Sequence, residues 1–453
     1  MPLTAVDEHA LWRGMEDLYS GRPVGRRIVS SLSLTRQDRE TSLMSPTCEA
    51  RHGGFIYSLQ FLVEAARCIL QKSPEFNESA IAGQVQNGNC PRLAAVDGLR
   101  LIAAVAVAAY HYLGTTTPHF WSKTDLAEFA PFLHAASRYG WLGVEFFFMI
   151  SGFVICMSCW GRSPAQFVVS RLARIFPGYW CSVVLVVVLV LAARLGHWPA
   201  ATPMDPRTVV GNLTMVPGPL GLDLLNGVTW TLWVEARFYL LITTLLAIGL
   251  TYQRMVLFCS AWLLAGVFTR ETGSLLLNEF VLSQYAGLFV AGITLYLMRR
   301  FGRNLLLWLL LGFAWCYELT VLQFRVASHA TTFSGVGRLS WLVCAVLLAI
   351  CLGLLAMAGV GPLARVQWGW LVTAGGLTYP FYLVHQSIGI PLAKGLLLEL
   401  PGLGLWPAMS LSLTCMLGLA FLICRLVERP LGRLMRQRLL TRGWNLQDVT
   451  AGR

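Results

Sequence analysis

Arg100 and His111 are two ionisable side chains on one apolar stretch, residues 96–111, and their spacing suits proton transfer beside an anion site. An ionisable group inside a membrane helix is costly and is a functional-site candidate by default. Eleven residues make about three helical turns, so the two side chains share nearly one face, roughly 16 Å apart along the axis. A cation at the water interface and an imidazole deep in the apolar layer suit a polar, anionic ligand that enters from one side and reacts within the membrane. A plainer reading stands beside this one. In it Arg100 anchors the helix to lipid phosphate, and His111 packs with a single hydrogen bond.

Further polar groups fall inside or at the mouths of apolar segments: Glu145, Glu235, Tyr379 and His385. Two histidines and two glutamates facing one interior require a polar or water-filled cavity, and such a cavity would hold general acid and base candidates. The alternative is a set of interhelical hydrogen bonds worth about 1 kcal/mol each. Glu235 stands among Trp230, Trp233, Arg237 and Tyr239, which favours a functional role for it. Arg171 and Arg174, three apart, share a helix face and can fork around a phosphate. Alone they read equally as a positive-inside anchor; with Arg100 on the same side they form a candidate cytoplasmic phosphate site.

The elements that carry these residues are membrane helices. The chain has 453 residues, of which 56% are hydrophobic and 13% charged, about half the charge of a soluble domain. The net charge of +12 lies between apolar segments and after the last one, a topology signal and not a nucleic-acid surface. Ten spans are expected, near 97–114, 141–160, 176–195, 230–250, 255–270, 282–298, 304–322, 340–358, 371–394 and 405–425. The fifth is short enough to be tilted or re-entrant. Arginines cluster at 162–174, 299–303 and 425–442. With ten spans these clusters fall on one side, so both termini are expected in the cytoplasm. The fold class is an all-α, polytopic transmembrane bundle.

Residues 1–90 are polar and hold no span, with one amphipathic candidate from Phe55 to Leu70. Residues 92–435 form the membrane domain, and 436–453 a basic tail. The proline-rich connection 197–229 is expected on the outer face, where it suits an acceptor. The twelve cysteines are scattered, and Cys156 and Cys159 read as small packing residues. No internal repeat is apparent, which weakens a transporter of the inverted-repeat kind.

Six ordered motifs make the chain resemble the integral-membrane acyltransferase family 3, over about residues 92–435. A D-G-L-R with a histidine eleven residues after its arginine stands as Asp97–Arg100 and His111. G-V-D/E-x-F-F-x-x-S-G-F stands from Gly143 to Phe153, and R-x-x-R-I-x-P-x-Y from Arg171 to Tyr179. W-S-L-x-V-E-x-x-F-Y stands from Trp230 to Tyr239, with Thr231 for the serine. Y-x-x-Y-L-x-H runs from Tyr379 to His385, and E-R-P is Glu428–Pro430. Leu101 replaces a frequent glycine, and Ala236-Arg237 replaces an acidic residue and glutamine, placing a charge near the presumed acid.

The resemblance implies an enzyme of the bacterial inner membrane that moves an acyl group, most often acetyl, from cytoplasmic acyl-CoA to a hydroxyl. The acceptor would be a carbohydrate or glycolipid, such as an exopolysaccharide or O-antigen unit. It further implies His111 and Glu235 as catalytic, Arg100, Arg171 and Arg174 as donor-binding, and Asp97, Glu145, Tyr239, Tyr379 and His385 as supporting polar residues. His111 would be the base toward the hydroxyl, or would carry the acyl group. Glu235 would orient or reprotonate a histidine, as carboxylates do in triads. Acyl-CoA is a co-substrate; no metal and no permanently bound cofactor are expected. The competing class is a transporter or flippase of a polar lipid or sugar.

Overall fold

The computed structural model describes residues 93–115, 130–196, 204–272, 275–332 and 339–441. The expected amphipathic segment Phe55–Leu70, with the rest of residues 1–90, lies outside these ranges. The described residues form α1 (Ala94–Ala109), α2 (Pro131–Ser137), α3 (Leu142–Cys159), α4 (Pro164–Gly196), α5 (Pro206–Leu213), α6 (Trp230–Ile248), α7 (Tyr252–Thr272) and α8 (Leu275–Val281). They continue as α9 (Ala286–Phe301), α10 (Leu305–Thr332), α11 (Trp341–Gly359), α12 (Gly369–Val384), α13 (Gly389–Glu399), α14 (Leu405–Ile423) and α15 (Arg429–Thr441). Among the described residues nine segments are long and apolar enough to cross a membrane, or ten when one bent pair counts as a span.

That bent pair is α12 and α13, which meet at 65° where the sequence suggests one helix over 371–394. Pro391 explains the break: it has no N–H to give the carbonyl of Ser387, and its ring would collide with that carbonyl in a continuous helix. The expected short span at 255–270 is a full 21-residue helix, α7. The expected start at 176 is also too late, because α4 runs through Pro177 from Pro164. Pro177 leaves the carbonyl of Ala173 without its helical donor. Helix α15 covers that spot with Gly432, where a Cβ would stand 2.7 Å from the Ala173 oxygen.

Small residues let the central helices touch. A Cβ on Gly152 of α3 would strike the backbone of Phe289, and one on Gly292 of α9 would strike that of Met149. In a bilayer, where tails are as apolar as leucine, such close backbone packing and interhelical hydrogen bonds hold helices together. Helix α1 lies beside α12 in the same direction: Gly98 meets Leu371 and Asp97 meets Gly375 near their starts. Near their ends the Tyr112 hydroxyl donates to the carbonyl of His385 at 3.0 Å. This parallel pairing sets His111 and His385 at one depth.

Candidate active site

Helix α1 does not end as an α-helix. Residues Tyr110–Gly114 form a π turn, with the Thr115 N–H donating five residues back to Tyr110. Such turns widen a helix and free carbonyls. Two of these are claimed at once: Thr115 Oγ1 donates to the carbonyl of His111 (3.0 Å), and His134 Nδ1 donates to that of Leu113 (2.6 Å). His111 is therefore held on an over-wide turn next to His385, with ring centroids 5.3 Å apart. His385 is buried and lies stacked against Phe381 one turn earlier (5.6 Å).

The end of the 204–229 connection is fastened to the turn that carries His385. Asn226 donates to the Leu383 carbonyl at 2.8 Å and accepts from the Ser387 hydroxyl at 2.9 Å. The Tyr382 hydroxyl reaches the carbonyl of Val228 (3.2 Å) and shares a hydrogen bond with Thr231 of α6 (3.1 Å).

About three turns along α1 is a second pole, built on arginines. Arg100 lies 3.7 Å from Asp97 and within electrostatic reach of Arg174, Glu235 and Tyr239. Arg171 reaches Glu235, Tyr239 and Arg174 in the same way. Its Nε donates to Ser170 at 3.2 Å. Arg174 sits 3.6 Å from Glu428 and over the ring of Tyr379, 5.5 Å from its centroid. The Tyr379 hydroxyl donates to the Ile175 carbonyl at 2.7 Å, which pins that ring against α4. Glu235 accepts from Ser151 Oγ at 2.6 Å, and Tyr239, one turn on, hydrogen-bonds to the same carboxylate.

The ten candidate residues thus divide into three places. Asp97, Arg100, Arg171, Arg174, Glu235, Tyr239 and Tyr379 gather at the arginine pole. His111 and His385 form the histidine pole. Glu145 belongs to neither: its carboxylate lies 3.1 Å from Arg325 of α10, which also pairs with Glu318. The expectation of one cavity holding both glutamates and both histidines is corrected on this point, because Glu145 pairs with the buried Arg325 and not with the histidines. The expectation that Glu235 orients a histidine is not matched by its contacts, which run to Ser151, Tyr239 and the arginines. Nor does Arg237 add charge to the site: it turns to Glu279 of α8 and lies over Trp233.

Ser151 stands in the Gly143–Phe153 motif but is given no role by the sequence, and Asn226, Arg325 and Glu318 were missed altogether. The last two carried a signal. They stand seven apart at one end of an apolar segment, which puts them on one face of a helix. Asn226 carried none that distinguishes it from any loop asparagine.

A multi-pass helical bundle with ionisable side chains gathered in its interior defines a membrane-embedded protein with a polar site. Residues 93–425 match the family of acyltransferase domains (Acyl_transf_3), so the chain belongs to the membrane acyltransferase family 3 and is an acyltransferase. No curated protein and no solved structure matches the chain significantly.

Proposed function

We propose that this acyltransferase takes an acyl group, acetyl foremost, from cytoplasmic acyl-CoA and places it on a hydroxyl of a carbohydrate or glycolipid in a bacterial inner membrane. The observation that carries this reading is the gathering of Arg171 and Arg174 of α4 about Arg100, which lies about three turns from His111 along α1. Coenzyme A has the matching anatomy, with phosphates at one end, a thioester at the other and a long flexible arm between. Guanidinium groups suit the phosphates because they donate in a planar fork. The arm follows α1 to the histidine pole, and the acceptor enters beneath the 204–229 connection.

At the thioester, an alcohol is a poor nucleophile without a base. His111 takes the hydroxyl proton as the oxygen attacks the carbonyl carbon. The new C–O bond forms, the C–S bond breaks, and the electron pair leaves on sulfur, which receives the proton back from His111. Glu235, held by Ser151 and Tyr239, sets the charge balance among the arginines at the phosphate end.

The test is the paired change Arg171→Ala and Arg174→Ala in purified protein. Each charge-assisted bond is worth about 1.5–3 kcal/mol, so KM for acyl-CoA should rise by about 10²-fold or more while the protein stays folded. An unchanged KM reduces these arginines to topology signals. A protein that moves solute and never consumes acyl-CoA would leave the acyl-CoA reading without support.

A further inference from the structure

His385 is buried, yet one of its two ring nitrogens has no hydrogen-bond partner. The other is committed: Nδ1 lies 2.8 Å from the carbonyl oxygen of Tyr382. A carbonyl only accepts, so Nδ1 carries the proton and neutral His385 is fixed in one tautomer. Its Nε2 is then a bare lone pair inside the bundle. Leaving a buried acceptor unpaired costs about 1–3 kcal/mol, and such an exception asks for an explanation.

The surroundings hold the ring still. Phe381 stacks on it, Tyr112 grips its carbonyl, and Asn226 fastens the turn around it through Leu383 and Ser387. The neighbouring imidazole is His111, with a centroid separation of 5.3 Å and planes tilted by 49°. Two imidazoles joined edge to edge by an N–H···N bond of roughly 3 Å have about this centroid spacing. A rotation of the His111 ring on its π turn completes that bond.

We infer that His385 is the positioning residue for His111: its Nε2 accepts the N–H of His111 and leaves the second nitrogen of His111 as the bare base. The tautomer is fixed along this chain of bonds: the Tyr382 carbonyl accepts from His385 Nδ1, and His385 Nε2 accepts from His111. In Ser-His-Asp triads a carboxylate holds the base in its tautomer; here a carbonyl-anchored imidazole does so without placing a negative charge in the apolar layer. When His111 becomes imidazolium, its N–H donates to the same lone pair. The proton between the two rings stays in place while the hydroxyl proton passes through the other nitrogen of His111 to sulfur, so the acyl transfer remains balanced as written above.

This inference rests on His111 as the base, and its test separates the two. Glutamine at 385 offers an amide oxygen near the position of Nε2, whereas leucine offers no acceptor. In protein labelled with nitrogen-15 histidine, the wild-type signals of His111 should show one protonated and one bare nitrogen. His385→Gln should keep that pattern, and His385→Leu should mix the two tautomers. Turnover of His385→Leu should fall by about 10²-fold or more with KM for acyl-CoA unchanged, and His385→Gln should recover most of the loss. A single His111 tautomer in the leucine variant, or glutamine performing no better than leucine, overturns the inference. Should the tautomer mix as expected while His111→Ala keeps its turnover, the positioning contact stands and the base assignment falls.

Discussion

Glu428 and a phosphate would compete for the same arginine. The Glu428 carboxylate stands 3.6 Å from Arg174, longer than the 2.7–2.9 Å or so of a charge-assisted hydrogen bond, and neither of its oxygens has a hydrogen-bond partner. The pair is therefore held by charge and not by a directed bond. At this distance an effective dielectric near 20 gives an unscreened attraction of about 4–5 kcal/mol. The Arg174 side chain is 38% exposed and that of Glu428 only 6%, so water screens one partner, and the net value drops toward the 1 kcal/mol or so of a surface pair. Glu428→Gln removes the competing charge and nearly keeps the shape. KM for acyl-CoA should then fall by about fivefold, since about 1.4 kcal/mol corresponds to tenfold. The assay is initial-rate thiol release against acyl-CoA concentration at fixed acceptor. Combining Glu428→Gln with Arg174→Ala should abolish the gain. A rise in KM for the single variant, with the protein intact, would show that Glu428 orients Arg174 toward the donor and refute the competition.

Three other outcomes are expected. His111→Ala should lower acyl transfer by about 10²–10⁴-fold while the protein accumulates normally in the membrane; near-normal turnover would move the base to another group. Reporter fusions at Gly161 and Gly302 should read cytoplasm and one near Pro217 the outside, and an outside signal at Gly302 would reverse the orientation. A chain beginning near Asn89 should keep its chemistry, and insertion without activity would give residues 1–90 a role.

What the sequence reveals about this site depends on whether partners share a helix. Arg100 and His111 stand on one segment, so a fixed rise per residue sets their separation before any packing is known. Arg171 and Arg174 are legible for the same reason. Ser151 and Glu235, 84 residues apart, meet only because α3 and α6 pack together, and no periodicity encodes that choice. Glu145 resembles the histidines in being polar within an apolar run; its partner Arg325 is brought to it because α3 and α10 both pack against α9. The π turn at Tyr110–Gly114 is invisible to a 3.6-residue pattern, since it shifts the register by one residue without changing composition. The α12–α13 break, by contrast, was marked by Pro391 and obscured by the unbroken hydrophobicity around it.

The connection 204–229 has two separate fastenings, and this divides its freedom to change. Asn212 staples the first part to itself, through Thr208 and Asp223 at 2.8 Å each and Leu225 at 3.0 Å. Asn226 fastens the second part to the turn that holds His385. Residues 206–222 are also gripped by α4, where the Tyr179 hydroxyl donates to the Asn212 carbonyl and Trp180 Nε1 to that of Leu213 at 3.0 Å, while the four residues Asn226–Thr229 are fastened to the turn that holds His385. A change in the first stretch is therefore felt by α4, and a change in the second by the His385 turn.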